Sequence, residues 1–207
     1  MTRTYAEGIA QAILSAYLKV QNRTIRSAQS WFMGASRNRS STSYLLNPQS
    51  ERDEYNEEGD TDKSMTQLTF HSIDDVTAKG LLNWFAVHGT SLNSSYHFIS
   101  GDNKGYASYL MERYWNGNNT LPGSGNFVAT FASTNLWDVS PNTSGPHCVD
   151  TGEPCDNATN STCNVNCELC RATGPGKDMF ESTHIIGVLR TFTELYDSNW
   201  CSTILTW

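Results

Sequence analysis

A chain of 207 residues with 38% apolar and 11% aromatic side chains can build one large core or two small ones, which excludes disorder throughout. Its net charge of −7 argues against a nucleic-acid binder, because neutralising phosphates takes clustered Lys and Arg. No apolar run approaches the roughly 20 residues that a membrane-spanning helix needs.

Near the start, Thr4 and Glu7 form a capping box, and Ile9, Ile13, Ala16 and Val20 follow at helical spacing. This predicts a helix of about four or five turns. The same stretch, MTRTYAEGIAQAILSAYL, lacks an uninterrupted apolar run and a small-residue cleavage site, so it reads as a helix rather than a signal peptide. Residues 22–50 are polar and turn-rich. The charge run ERDEYNEEGDTDK (51–63) reads as a solvated loop rather than a calcium site. Residues 65–70 and 81–87 read as strands. The second is apolar almost throughout, as in a strand buried on both faces. Residues 103–115 read as a helix with Tyr106, Leu110 and Tyr114 on one face. Residues 126–133 make a third buried strand, and 177–196 a helix with Met179, Ile186, Leu189 and Tyr196 at helical spacing. Strands alternating with helices predict an α/β fold, a sheet flanked by helices.

Five of the six cysteines fall between Cys148 and Cys170. Glycosylation sequons begin at Asn22, Asn38, Asn93, Asn118, Asn142, Asn157 and Asn160. Clustered cysteines with interleaved sequons point to an oxidising, secretory compartment and a disulfide-rich loop. Cys163, Cys167 and Cys170 also have a C-x3-C-x2-C spacing, but no second clean pair or neighbouring His supports a zinc site there. Secretory cysteines without a signal peptide lead to the expectation that the natural start lies upstream.

Two residues carry candidate chemistry. His88 ends the second strand, where an α/β sheet presents functional groups. No second His stands at metal-ligand spacing, so a hydrogen-bonded structural role stays open. Ser140 precedes Pro141 and Asn142, at what reads as the end of a buried strand. It is either a hydroxyl presented for chemistry or a plain turn serine. GPGKD (174–178) is not a phosphate loop, since Arg171 and Asp178 stand where that motif needs Gly and Ser or Thr.

Six segments, in order, resemble the neutral ceramidase family: NRSSTSYLLNPQSER (38–52), WFAVHGTSLN (84–93), GDNKGYASYL (101–110), LPGSGNFVATFASTNLWDVSPN (121–142), GPHCVDTGEPCDNATNSTC (145–163) and GPGKDMFESTHIIG (174–187). The resemblance implies a zinc-dependent amidohydrolase that cleaves ceramide to sphingosine and a fatty acid. It implies that His88 is a zinc ligand, Ser140 the catalytic serine, and Arg39 an arginine holding oxygens near the metal. It further implies that Asn38 carries no glycan, and that the disulfides are Cys148–Cys163 and Cys155–Cys170, leaving Cys167 and Cys201 over.

The remaining zinc ligands of the family are expected outside this chain. Residues 1–197 are thus an interior part of the catalytic domain, 198–207 a tail unlike the family, and the fragment inactive alone. The implied partner is ceramide, with membrane-surface association and no nucleic acid. The implied location is secreted or cell surface. Two departures from the family pattern are Ser41 in place of Pro and Trp137 in place of Gly. A glycine at that position suggests positive φ, so Trp137 is expected to be strained and to obstruct Ser140, the alternative being that its ring lines the apolar cleft and helps hold the lipid. The alternative is a secreted, disulfide-linked α/β binding module without metal, in which His88 has no metal-binding partners.

Overall fold

A computed structural model describes residues 2–55, 59–74, 77–155, 163–196 and 203–206. In chain order the elements are α1 (Thr2–Leu18), β1 (Thr24–Trp31), β2 (Arg37–Asn38), α2 (Ser41–Leu45), α3 (Gln49–Glu54), β3 (Ser64–His71), β4 (Ala78–Phe85) and α4 (Asp102–Asn116). There follow β5 (Val128–Ala132), β6 (Val139–Ser140), β7 (Gly145–Cys148), two short 3-10 turns, β8 (Cys170–Thr173), α5 (Met179–Tyr196) and β9 (Thr203–Thr206).

Five strands form a mixed sheet in the order β5-β4-β3-β1-β9. Only β4 and β5 are parallel, and the chain between them carries α4 as the crossover that a parallel pair requires. The period of two along each strand sorts the side chains. Leu81, Asn83 and Phe85 face inward with their register partners Ala129, Phe131 and Met65. Leu82 and Trp84 point the other way and are half-buried, so β4 is covered on one face rather than both.

The covered face packs against α4 and α5. One core cluster joins Leu81, Ala129 and Phe131 to Ala107 and Met111 of α4, and a second joins Met65, Phe85 and Val87 to Ile186 of α5. The inward stripe of α4 is therefore Ala107 and Met111. Tyr114, which helical spacing puts on one face with Tyr106 and Leu110, is 61% exposed. The small Ala107 lets the helix lie close to the sheet, where a tyrosine stripe would hold it off. Gly187 does the same between the helices: a Cβ there would lie 2.8 Å from Tyr106 Cδ1 and 3.1 Å from Asn103 O.

Polar side chains of α4 tie the crossover to both ends of β5. Lys104 Nζ donates to Phe85 O (3.3 Å) and Ala132 O (3.0 Å), bridging the C-terminal ends of the parallel pair. Buried Glu112 accepts from Gly123 N (2.6 Å) and Ala129 N (3.1 Å). Asn116 exchanges two hydrogen bonds with the Phe127 main chain.

Further elements also differ from expectation. The turn-rich segment contains β1, whose eight residues pair with β3 from Thr24↔His71 to Trp31↔Ser64. Its sequence, TIRSAQSW, is too polar to show strand alternation; long-range pairing makes it a strand. Helix α1 starts at Thr2, so Thr4 lies inside it, and Glu7 pairs with Arg3 at 2.7 Å instead of closing a capping box. From Arg3 onward every residue of α1 is exposed, Ile9 and Ile13 included.

The core assignment is tested by Met111→Ala, expected to lower the unfolding free energy by about 2–5 kcal/mol. Tyr114→Ala is expected to change it by less than about 1 kcal/mol. Urea titration of the two variants compares the faces directly.

Candidate active site

Three distant stretches meet at β6. Arg37 and Asn38 pair with Ser140 and Val139 to form the small β2–β6 ladder. The contact continues past β2, where Arg39 N donates to Asp138 O at 2.9 Å and Arg39 Nε meets Asp138 Oδ1 at 3.2 Å. From the other side, beyond the end of β4, His88 N donates to Val139 O at 3.0 Å. Arg39, His88 and Ser140, singled out in sequence, are thereby neighbours in space. Ser140 stands on its own short strand, not at the end of β5, and His88 lies beyond β4 on the following turn.

Each side chain has a defined setting. Ser140 is 7% exposed, and its Oγ accepts from Asn142 N at 3.1 Å across the Pro141 turn. The hydroxyl hydrogen remains available to donate. Ser140, Arg37, Arg39, Asn142, Gly145 and Ala172 line a cleft of about 450 Å³. His88 is half-buried, and its Nε2 lies 2.8 Å from Trp137 O. A carbonyl only accepts, so Nε2 carries the hydrogen.

The arginine at 37 was missed in sequence, though RNR was the signal. Arg39, just past β2, and Arg37, on it, both line the serine's cleft. Gly145 makes room for the second one. Its φ is +81°, and a Cβ there would overlap the Arg37 guanidinium.

Trp137 contradicts its expectation. Among the described non-glycine residues, positive φ occurs at Asp102, Cys163, Asn164 and Val165, not at Trp137. The ring is 85% exposed and borders a hollow with Tyr44, Asn47 and Asp60 that shares Asn38, Ser40 and Ser43 with the Ser140 cleft. Trp137 does not itself line that cleft: the turn uses its carbonyl and leaves its ring exposed.

Asn38 is buried and bonded at both ends of its amide, donating to Asp60 O (3.0 Å) and accepting from Ser40 N (2.7 Å). Nearby, buried Lys63 donates to Ser36 Oγ at 3.0 Å and to Thr61 Oγ1. Burial pushes its pKa below the usual lysine value, with Asp60 and Asp62 partly opposing.

The cysteine loop follows directly. Cys148 is bonded to Cys163 and Cys155 to Cys170, with Cα separations of 5.2 and 6.1 Å. Cys167 is free and exposed; Cys201 and the sequons at Asn157 and Asn160 lie outside the described residues. Cys148, Cys155 and Cys163 are the one group of three metal-capable side chains found close together among the described residues. All three are in disulfides, so none offers a thiolate. A zinc ion needs three or four ligands, and His88 has only Nδ1 to give. The described residues of this chain alone do not fit a zinc ion.

A serine hydroxyl that shares a cleft with two arginines, on a strand that also bonds the main chain of a histidine, suits hydrolysis of a bond to a carbonyl carbon. The chain belongs to the neutral/alkaline non-lysosomal ceramidase family: the model of the family's N-terminal part matches residues 1–200. It is 47% identical over 188 residues to neutral ceramidase A of Dictyostelium discoideum, covering 89% of this chain and 25% of that protein. It is 44% identical to the neutral ceramidase of Drosophila melanogaster, over 88% of this chain and 25% of the relative. The crystal structure of neutral ceramidase from Pseudomonas aeruginosa superposes with a TM-score of 0.62 at 31% identity, over 89% of this chain and 24% of that one. The chain thus spans about a quarter of the length of these relatives.

Lys63 supplies a pH test. Between its lowered folded pKa and the ordinary 10.5, the unfolded chain holds a proton that the folded one has released. Stability should therefore rise with pH across that window, relative to Lys63→Met. The penalty for burying the charge is fully present below it. Paired urea titrations at neutral and alkaline pH measure the narrowing gap.

Proposed function

We propose that this chain contributes one wall of a zinc-dependent amidohydrolase site that cleaves the N-acyl amide of ceramide to sphingosine and a fatty acid. The observation that carries the reading is the convergence of Arg39, His88 and Ser140 on β6 within a family match spanning residues 1–200. Arg37 and Arg39 supply fixed positive charge where the amide oxygen becomes negative. Among the described residues no base contacts Ser140 Oγ, and its partner there is a donor, Asn142 N. The role this favours for Ser140 is hydrogen-bond donation to the substrate oxygen or to the attacking nucleophile. In this reading His88 is one zinc ligand and the others come from the rest of a full-length family protein.

No described helix is long and apolar enough to cross a membrane. The proposed encounter with ceramide is at a membrane surface. The two disulfides favour an oxidising setting, and secretion or display at the cell surface is part of the proposal.

The test uses the chain alone and a chimera. The 207-residue chain with zinc is expected to give no ceramide turnover above a His88→Ala control, because one ligand does not hold a catalytic zinc. In the chimera, residues 4–197 replace the matching segment of the Dictyostelium neutral ceramidase A. It should hydrolyse ceramide, and Ser140→Ala should lower kcat by about a hundredfold or more. A folded but inactive chimera would count against the reading, and near-normal turnover in Ser140→Ala would return the serine to a turn role.

A further inference from the structure

His88 is gripped at three places. Its main-chain N–H donates to Val139 O, its ring Nε2 to Trp137 O, and its carbonyl accepts from Asn103 Nδ2 at 3.0 Å. The first two contacts come from the β6 side. The third comes from the start of α4, in a segment with no role in the site as described so far. Asn103 is fully buried, and the same Nδ2 also lies 3.0 Å from Ser91 Oγ and from Asp102 Oδ1.

The orientation of this amide is fixed by chemistry. His88 O and the Asp102 carboxylate are acceptors only, so the side-chain nitrogen must face them. The opposite atom, Oδ1, is buried and has no hydrogen-bond partner among the described residues. The contacts the described residues give this amide are therefore all made through its donor nitrogen.

Asp102 sets it there. It holds φ +53°, a conformation few non-glycine residues adopt. Its carboxylate accepts from Ser91 N (2.9 Å), Leu92 N (2.9 Å) and Asn103 N (2.7 Å). The turn that follows His88 is therefore closed onto the helix start by one buried carboxylate, and the histidine's own peptide by the neighbouring amide.

We propose that Asn103, seated by Asp102, is a positioning residue of the site. It fixes the His88 peptide so that the ring stays hydrogen-bonded to Trp137 O through Nε2 and offers Nδ1 alone to whatever the site binds. The inference rests on reading His88 as a site residue, but its test does not require activity.

The experiment is NMR of the full chain labelled with 15N-histidine, with His88 assigned by the loss of its signals in His88→Gln. The wild-type chain should show a slowly exchanging Nε2–H at His88, with Nδ1 unprotonated. Protonation at Nδ1 in the neutral ring, or no protected Nε2–H, overturns the proposal. Asn103→Asp, similar in shape but lacking the donor, should lose the protected proton. Thr191→Val serves as the comparison: Thr191 is buried between α5 and α4 and bonds Gly187 O and Ala107 O. It should lower Tm while leaving the His88 signal in place. A lowered Tm with an unchanged His88 signal in Asn103→Asp makes Asn103 merely structural and sinks the idea. Should Asn103→Asp not fold, Asp102→Asn replaces it, since asparagine tolerates the positive φ, and the same loss is expected. An inactive chimera would leave these signals untouched, so failure of the ceramidase reading and failure of this one are distinguishable.

Discussion

The candidate site depends on main-chain hydrogen bonds between segments remote in sequence. His88 N donates to Val139 O at 3.0 Å, and Arg39 N donates to Asp138 O at 2.9 Å. Each such bond contributes only about 0.5–1.5 kcal/mol net, and the exposed Arg39–Asp138 ion pair contributes little more. The geometry is nevertheless well determined, because β2 from one side and the His88 turn from the other both hydrogen-bond to β6. A site built from carbonyls and amides tolerates change in the side chains that merely pass by. Trp137 illustrates this: its carbonyl holds the histidine while its ring faces solvent.

Rigidity comes from two sources flanking that junction. On one side α4 is bolted to the ends of β4 and β5 by Lys104, Glu112 and Asn116, and its first residues hold the turn after His88. On the other side Ser140 runs through the Pro141 turn into β7, which pairs with β8 from Gly145↔Thr173 to Cys148↔Cys170. Two disulfides, each closing a sequence separation of 15, anchor this ladder, and each can contribute on the order of 3 kcal/mol by restricting the unfolded chain. The serine thus sits between a helix-braced sheet and a cross-linked loop, with Arg37 and Arg39 lining the same cleft.

Two surfaces that usually find cover stay open in this chain. The apolar side chains of α1 are exposed, and the outer face of β4 is only half covered. Both accompany a span of about a quarter of the relatives' length.

By itself the sequence determined the long helices, the two apolar strands β3 and β4, and the clustering of cysteines, because each writes its signal in local period or spacing. It also carried the identity of the family in six ordered segments. It did not reveal β1, whose polar residues become a strand only by pairing with β3. Nor did it reveal which stripe of α4 turns inward, since Ala107 and Met111 outcompete a tyrosine stripe only when a sheet and Gly187 lie opposite. Arg37 was visible beside Arg39 but lacked meaning until β2 met β6. The inference of positive φ at Trp137 failed because a residue type hints at a backbone angle without fixing it. Only the tertiary structure brought Asn103 to His88, since a hydrogen bond between a helix start and the turn before it depends on how the chain folds back, and no residue pattern encodes that distance.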